Sequence, residues 1–249
     1  MTIPRRRPPG TPAVRTLMKN MWRMGKLQGL KKDAVSALLT ELEGLRHTRN
    51  ALVPSRVRQR LLRLKVAHEM LDQWEIAMLV TFAETYLQDA LAYAAKRDAS
   101  LMRESEQAST YDQILTAKST AGLAEVLRER WARAFVDDGG PSRWISRLER
   151  MGASGYGTDL APTLEPLWGI RHCVVHNAGI TTQELVKRHP ALNLKPGQQV
   201  VIAVEQFGAC VHAIGVFAAR TDVFLLGRIR GRSMPVRLKP TDRESYERT

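Results

Sequence analysis

Apolar residues recur at offsets of three and four along most of the chain, the spacing of one helix face. Leu38, Leu39, Leu42 and Leu45 form the first such group, with Asp33 placed to cap their helix. A second block opens at Ser55, read as an N-cap, and runs through Leu61, Leu64, Ala67, His68 and Leu71. The same spacing continues through Ile76, Leu79, Val80, Ala83, Leu87 and Leu91, so this stretch is one very long helix or two in series. Residues 123–136 and 142–151 predict two further helices, the first ended by Asp137-Asp138-Gly139-Gly140-Pro141 and the second by the Gly-rich stretch 152–157. A last main helix is expected over 204–225. Strand patterning is sparse: after the turn signal Pro196-Gly197, residues 198–202 carry the β-branched content of a short strand or simply lead into that last helix. No repeat at a fixed period is visible, which argues against a solenoid. The expected fold is all-α, a helical bundle.

One short predicted helix carries chemistry. Thr163 is a hydroxyl N-cap followed by Glu165 in the first turn and Pro166, while Gly179 supplies a left-handed residue at the far end. At about 100° per residue, Leu164, Leu167, Val174, Val175 and Ala178 share one sector, the expected core face. Arg171 falls inside that sector, and His172 and His176 stack on the opposite side. A buried, unpaired guanidinium is costly. An isolated arginine of this kind usually runs its stem along the core and ends in a salt bridge; here His176 stands one turn on, with Asn177 beside it. The negative end of the helix dipole stabilises an imidazolium at His176 by roughly 0.3–1 kcal/mol.

Composition adds bounds rather than detail. Of 249 residues, 44% are apolar and 25% charged, the balance of a soluble globular protein. The longest apolar runs fall far short of the roughly 20 residues that span a bilayer, and Pro8-Pro9-Gly10 stands where a secretory core segment would be. No membrane helix is expected, and the location is expected to be cytoplasmic. Cys173 and Cys210 match neither a disulfide framework nor a zinc ribbon. The net charge of +13 is concentrated at the ends: residues 1–32 hold nine bases and no acid, residues 220–249 eight bases and four acids, and residues 33–219 are balanced at 21 of each. Basic ends favour a polyanion through counterion release, although they also serve solubility. Residues 1–12, with four prolines and Arg5-Arg6-Arg7, read as a disordered tail able to touch RNA through those arginines.

The run Arg171-His172-Cys173-Val174-Val175-His176-Asn177-Ala178-Gly179 resembles the signature of the HEPN superfamily: an arginine, a polar residue directly after it, and a histidine a few positions on, within a late helix of an all-α bundle. The upstream helix containing Phe82-Ala83-Glu84-Thr85-Tyr86-Leu87-Gln88-Asp89 and the downstream Pro196-Gly197-Gln198-Gln199-Val200 occupy places similar to those in HEPN domains. On this resemblance residues 55–226 form a HEPN-like helical domain, 13–54 a helical N-terminal extension and 227–249 a basic C-terminal tail. The resemblance implies a metal-independent endoribonuclease that leaves 2′,3′-cyclic phosphate and 5′-hydroxyl ends. His176 would be the general acid/base and Arg171 the phosphate clamp, with His172 and Asn177 as secondary residues. It also implies a homodimer through the motif helix and a toxin or antiphage role, held by an antitoxin or regulatory partner, with no cofactor.

Rival readings have less to rest on. His172, Cys173 and His176 would form a metal site only if Cys173 did not project about 100° away from His172. His47, His68, His189 and His212 stand alone in sequence. No Gly-x-Ser-x-Gly elbow, P-loop or dinucleotide fingerprint is present. Glu84 and Tyr86 read as solvent and core positions. The rival from another class is a catalytically inactive helical RNA-binding or protein-interaction module.

Overall fold

The computed structural model describes residues 10–48, 55–102, 119–137, 139–201 and 204–231. Among these residues are seven α-helices and short 3₁₀ turns, and no strand. The helices are α1 (Pro12–Thr48), α2 (Ser55–Ala95), α3 (Thr120–Asp137), α4 (Pro141–Arg150), α5 (Leu160–His176), α6 (Gln183–Arg188) and α7 (Val204–Ile229). The all-α expectation holds. The ambiguity over residues 55–91 resolves as one continuous helix of 41 residues. Asp33 lies inside the 37-residue α1 rather than at its start. Pro12 opens that helix, where its missing N–H leaves no bond unmade.

The chain forms two compact units, each drawn from separated stretches of sequence. The first comprises residues 1–18, 81–165 and 209–249. Its core is aromatic: the Phe217 ring centroid lies 6.3 Å from that of Trp144 and 5.9 Å from that of Tyr156. Buried polar groups there are hydrogen-bonded, as they must be out of water. The Trp144 indole N–H donates to the Val136 carbonyl at 3.0 Å, and the Tyr86 hydroxyl donates to the Ala218 carbonyl at 2.7 Å. Of the expected tail over residues 1–12, only residues 10–12 are described, and Thr11 among them is anchored. It is fully buried, its N–H donating to Asp222 Oδ2 at 2.9 Å and its hydroxyl to Oδ1. Arg5, Arg6 and Arg7 lie outside the described residues.

Among the described residues α7 is the helix long and apolar enough, by length and composition, to cross a membrane. Its Ile214, Phe217, Ala218 and Leu225 are instead buried in the first unit, together with Asp222.

The second unit comprises residues 19–80 and 166–208. Here α1 and α2 pair through Lys31, which bridges Asp72 and Glu75, and through Gln28, whose amide donates to Glu75 at 2.9 Å. Its buried side chains include Met24, Ile76, Leu79, Leu167, Ile170, Cys173 and Leu185. Thr182 caps α6, accepting the Leu185 N–H at 3.2 Å. The stretch expected to be a strand makes a single antiparallel bridge, Gln199 with Ile180.

Candidate active site

The motif helix α5 starts earlier than its cap signals indicate. Thr163 is not the N-cap but lies inside the first turn, its N–H bonded to the Asp159 carbonyl at 3.1 Å and its hydroxyl to the same oxygen at 2.7 Å. Pro166 lies within the helix rather than at its entrance. The buried stripe of the helix is Leu160, Leu164, Leu167, Ile170 and Cys173. The expected core face was Leu164, Leu167, Val174, Val175 and Ala178. Of these, Val174 is half-buried, Val175 is 53% exposed and Ala178 is exposed beyond the helix end. Arg171 is accordingly half-buried at the border of the stripe, not a guanidinium within a core.

His172 and His176 are both exposed, their ring centroids 4.8 Å apart and their planes inclined by 43°. Cys173 points away from them and is buried, its Sγ 3.9 Å from Thr182 Oγ1. Among the described residues no three of His, Cys, Asp or Glu gather closely enough to hold a metal ion. Arg171 and His176 are five positions apart, hence about 140° apart around the helix. Arg171 lies beside the stripe while His176 is exposed with His172.

A closed turn holds the end of this helix. The N–H groups of Asn177 and Gly179 both donate to the Cys173 carbonyl at 2.9 Å, and Ile180 N–H donates to the Asn177 carbonyl at 2.8 Å. Gly179 is left-handed as expected, with φ of 77°, but Ala178 is left-handed too, at 52°. For a residue with a Cβ that conformation costs about 1–2 kcal/mol. It is held from outside: Val200 N–H donates to the Gly179 carbonyl and Thr181 N–H to the Gln198 carbonyl, both at 2.8 Å. Gln73 of α2 packs on Gly179 so closely that a Cβ there would lie 2.4 Å from its Oε1, and its amide donates to Gln199 Oε1 at 2.7 Å. No family model, no curated protein and no solved structure matches the chain.

Gln73 and Gln199 are the residues that sequence reasoning missed. They are separated by 126 positions and carry no local motif, so only the fold joins them. His189, solitary in sequence, is near the motif helix: a Cβ on Gly169 would lie 3.8 Å from its ring. Tyr86 is committed to the first unit's core, where burial first, then the Asp222 and Tyr156 charges, push its hydroxyl well above the usual phenol range. His212 is exposed on α7, and the side chains of His47 and His68 fall outside the described residues.

At the end of α5 the chemistry available is two exposed imidazoles in contact, each able to accept or donate a proton, an arginine directly before the first of them, and an amide directly after the second. Guanidinium matches a phosphate in geometry and charge.

Proposed function

We propose that the chain is a metal-independent endoribonuclease acting through Arg171 and His176. The exposed His172/His176 pair at the end of α5 supports this reading most directly, because solvent-facing imidazoles in contact are placed to exchange protons with a substrate. In the reaction the ribose 2′-oxygen attacks the adjacent phosphorus and the bond from phosphorus to the 5′-oxygen breaks. His176 takes the proton of the 2′-hydroxyl and a protonated imidazole, His172 in this assignment, supplies one to the departing 5′-oxygen. Arg171 neutralises charge gathering on the phosphate oxygens, and Asn177 orients the scissile group. The products are a 2′,3′-cyclic phosphate and a 5′-hydroxyl. A cytoplasmic setting, a toxin or antiphage role under an antitoxin or regulatory partner, and pairing of two motif helices belong to the same proposal, resting on the resemblance to HEPN domains.

The test is incubation of the purified full chain with RNA in EDTA, followed by end-group analysis. Cyclic phosphate ends that vanish in Arg171→Ala and in His176→Ala, with helical circular dichroism unchanged, are the expected result. Activity lost in EDTA and restored by zinc would overturn the metal-free mechanism. Undiminished cleavage in both variants would remove the site. RNA binding without cleavage would assign the inactive module instead.

A further inference from the structure

Within the second unit α1 turns one face to α2 and leaves the other to solvent. Met24 is buried, and Gln28 and Lys31 are bonded to Glu75 and Asp72. On the opposite side Lys19, Trp22, Arg23, Lys26 and Leu30 are all exposed, and at about 100° per residue they fall within an arc of roughly 100°. The face they form is about 17 Å long. Its charge is of one sign, because residues 11–32 contain no acid. The two helices run antiparallel, since Gln28 meets Glu75 and Lys31 meets Asp72, and the next stretch of α2, residues 76–80, is uncharged. Trp22 lies among these cations, 56% exposed, with Lys26 Nζ 5.5 Å from its ring centroid.

We propose that this face of α1 seats single-stranded RNA, Trp22 stacking on an unpaired base and Lys19, Arg23 and Lys26 meeting the flanking phosphates; the choice of RNA rests on the ribonuclease reading. An aromatic ring set among cations meets both parts of a nucleotide at once, the flat base and the charged backbone. Stacking on an exposed indole needs a base free of its duplex, and bases inside an A-form helix are enclosed. A duplex would meet the cations alone. A lipid surface is a poorer match, because a helix lying in a membrane keeps its apolar side apart from its charges. Here Trp22, Leu27 and Leu30 alternate with Lys19, Arg23 and Lys26 on the exposed side, so no apolar side could enter lipid without carrying cations with it.

The face is also close to the candidate active site. Gln73 packs on Gly179 while Asp72 and Glu75 hold Lys31, so one turn of α2 touches both α1 and the turn that ends α5. With packed helix axes about 8–10 Å apart, the two lie within roughly 20 Å of each other. One strand can therefore rest on α1 and reach the end of α5. Because α1 precedes the span that resembles a HEPN domain, this seat belongs to the N-terminal extension.

Binding is measured by fluorescence anisotropy on the full chain with a labelled 2′-O-methyl oligouridylate, which has no free 2′-hydroxyl to attack and so reports seating apart from cleavage. Trp22→Ala is expected to weaken binding roughly tenfold, and Trp22→Phe, which keeps a ring, much less. Lys19→Gln, Arg23→Gln and Lys26→Gln together should lower the slope of log affinity against log salt by about 2, three phosphate contacts at about 0.7 each. Helical circular dichroism should be unchanged throughout, since all four side chains are exposed. The same strand annealed into a duplex should bind more weakly than it does alone. Native affinity in Trp22→Ala, or an unchanged salt slope in the triple variant, overturns the seat. Tighter binding of the duplex overturns the single-strand assignment. A chain that ignores the oligonucleotide but co-sediments with phosphatidylglycerol vesicles assigns the face to lipid instead. The two proposals fail separately: a chain that seats the strand yet leaves unmodified RNA whole refutes only the ribonuclease, and one that cleaves while Trp22→Ala binds like the native chain refutes only the seat.

Discussion

A methyl group at residue 179 would lie 2.4 Å from Gln73 Oε1 and 2.5 Å from its Nε2, on a backbone with φ of 77°. Both the strain and the collision disfavour any side chain there. Gly179→Ala is expected to lower unfolding stability by roughly 1–3 kcal/mol in denaturant titration, and adding Gln73→Ala should return part of that loss. At the neighbouring position the sign reverses. Ala178 already has φ of 52°, so Ala178→Gly relieves left-handed strain and is expected to raise stability by up to about 1 kcal/mol once the freer unfolded chain is allowed for. Gly179 was legible in sequence, since glycine after an apolar helix is a common stop. Ala178 was not, because its conformation is imposed by hydrogen bonds to residues about twenty positions away and by Gln73.

For the helices, existence was more legible than boundaries. Residues 123–136, 142–151 and 204–225 read correctly as helices because each has an apolar face and a chemical stop. The motif helix was misread at its start since Thr163 and Pro166 carry entry signals, yet Leu160 and Leu164 are buried and keep the helix going a turn earlier. Tertiary packing covers Ile170 and Cys173 rather than Val174 and Val175, which leaves Arg171 at the border of the buried face. The short α6 escaped the periodicity reading altogether, being under two turns long. Its cap matters correspondingly more: Thr182→Ala is expected to cost about 1 kcal/mol, seen as faster amide exchange over residues 183–188.

At the scale of the molecule, two predictions follow from charge. Asp222 is buried in the first unit, and burial raises its carboxyl above the usual aspartate range despite the Thr11 bonds and nearby Arg15 that pull it down. The folded state therefore takes up this proton at higher pH than the unfolded state. The stabilisation from Asp222 is complete below about pH 4 and is lost as pH rises through its folded value. Thermal melts across that range should show the loss, and Asp222→Asn, which keeps the shape without the charge, should flatten the profile and leave the neutral protein no less stable. The net charge of +13 bears on RNA: affinity should fall linearly on a log scale with salt, at about 0.7 per phosphate contacted on single strands. Filter binding across a salt series measures it, and a flat response would remove the electrostatic part of the RNA proposal.

By itself the sequence determined the all-α class, the main helices, the stop at Gly179 and the run Arg171 to Asn177, since each depends on neighbours within a turn or two. Only the tertiary structure decided which face of α5 is buried, that His172 and His176 are in contact and exposed, and that Gln73 and Gln199 close the turn behind them. It also decided that Thr11 is anchored by a carboxylate 211 residues away. Periodicity records which positions along a helix are apolar. Which of those are covered depends on segments far apart in sequence.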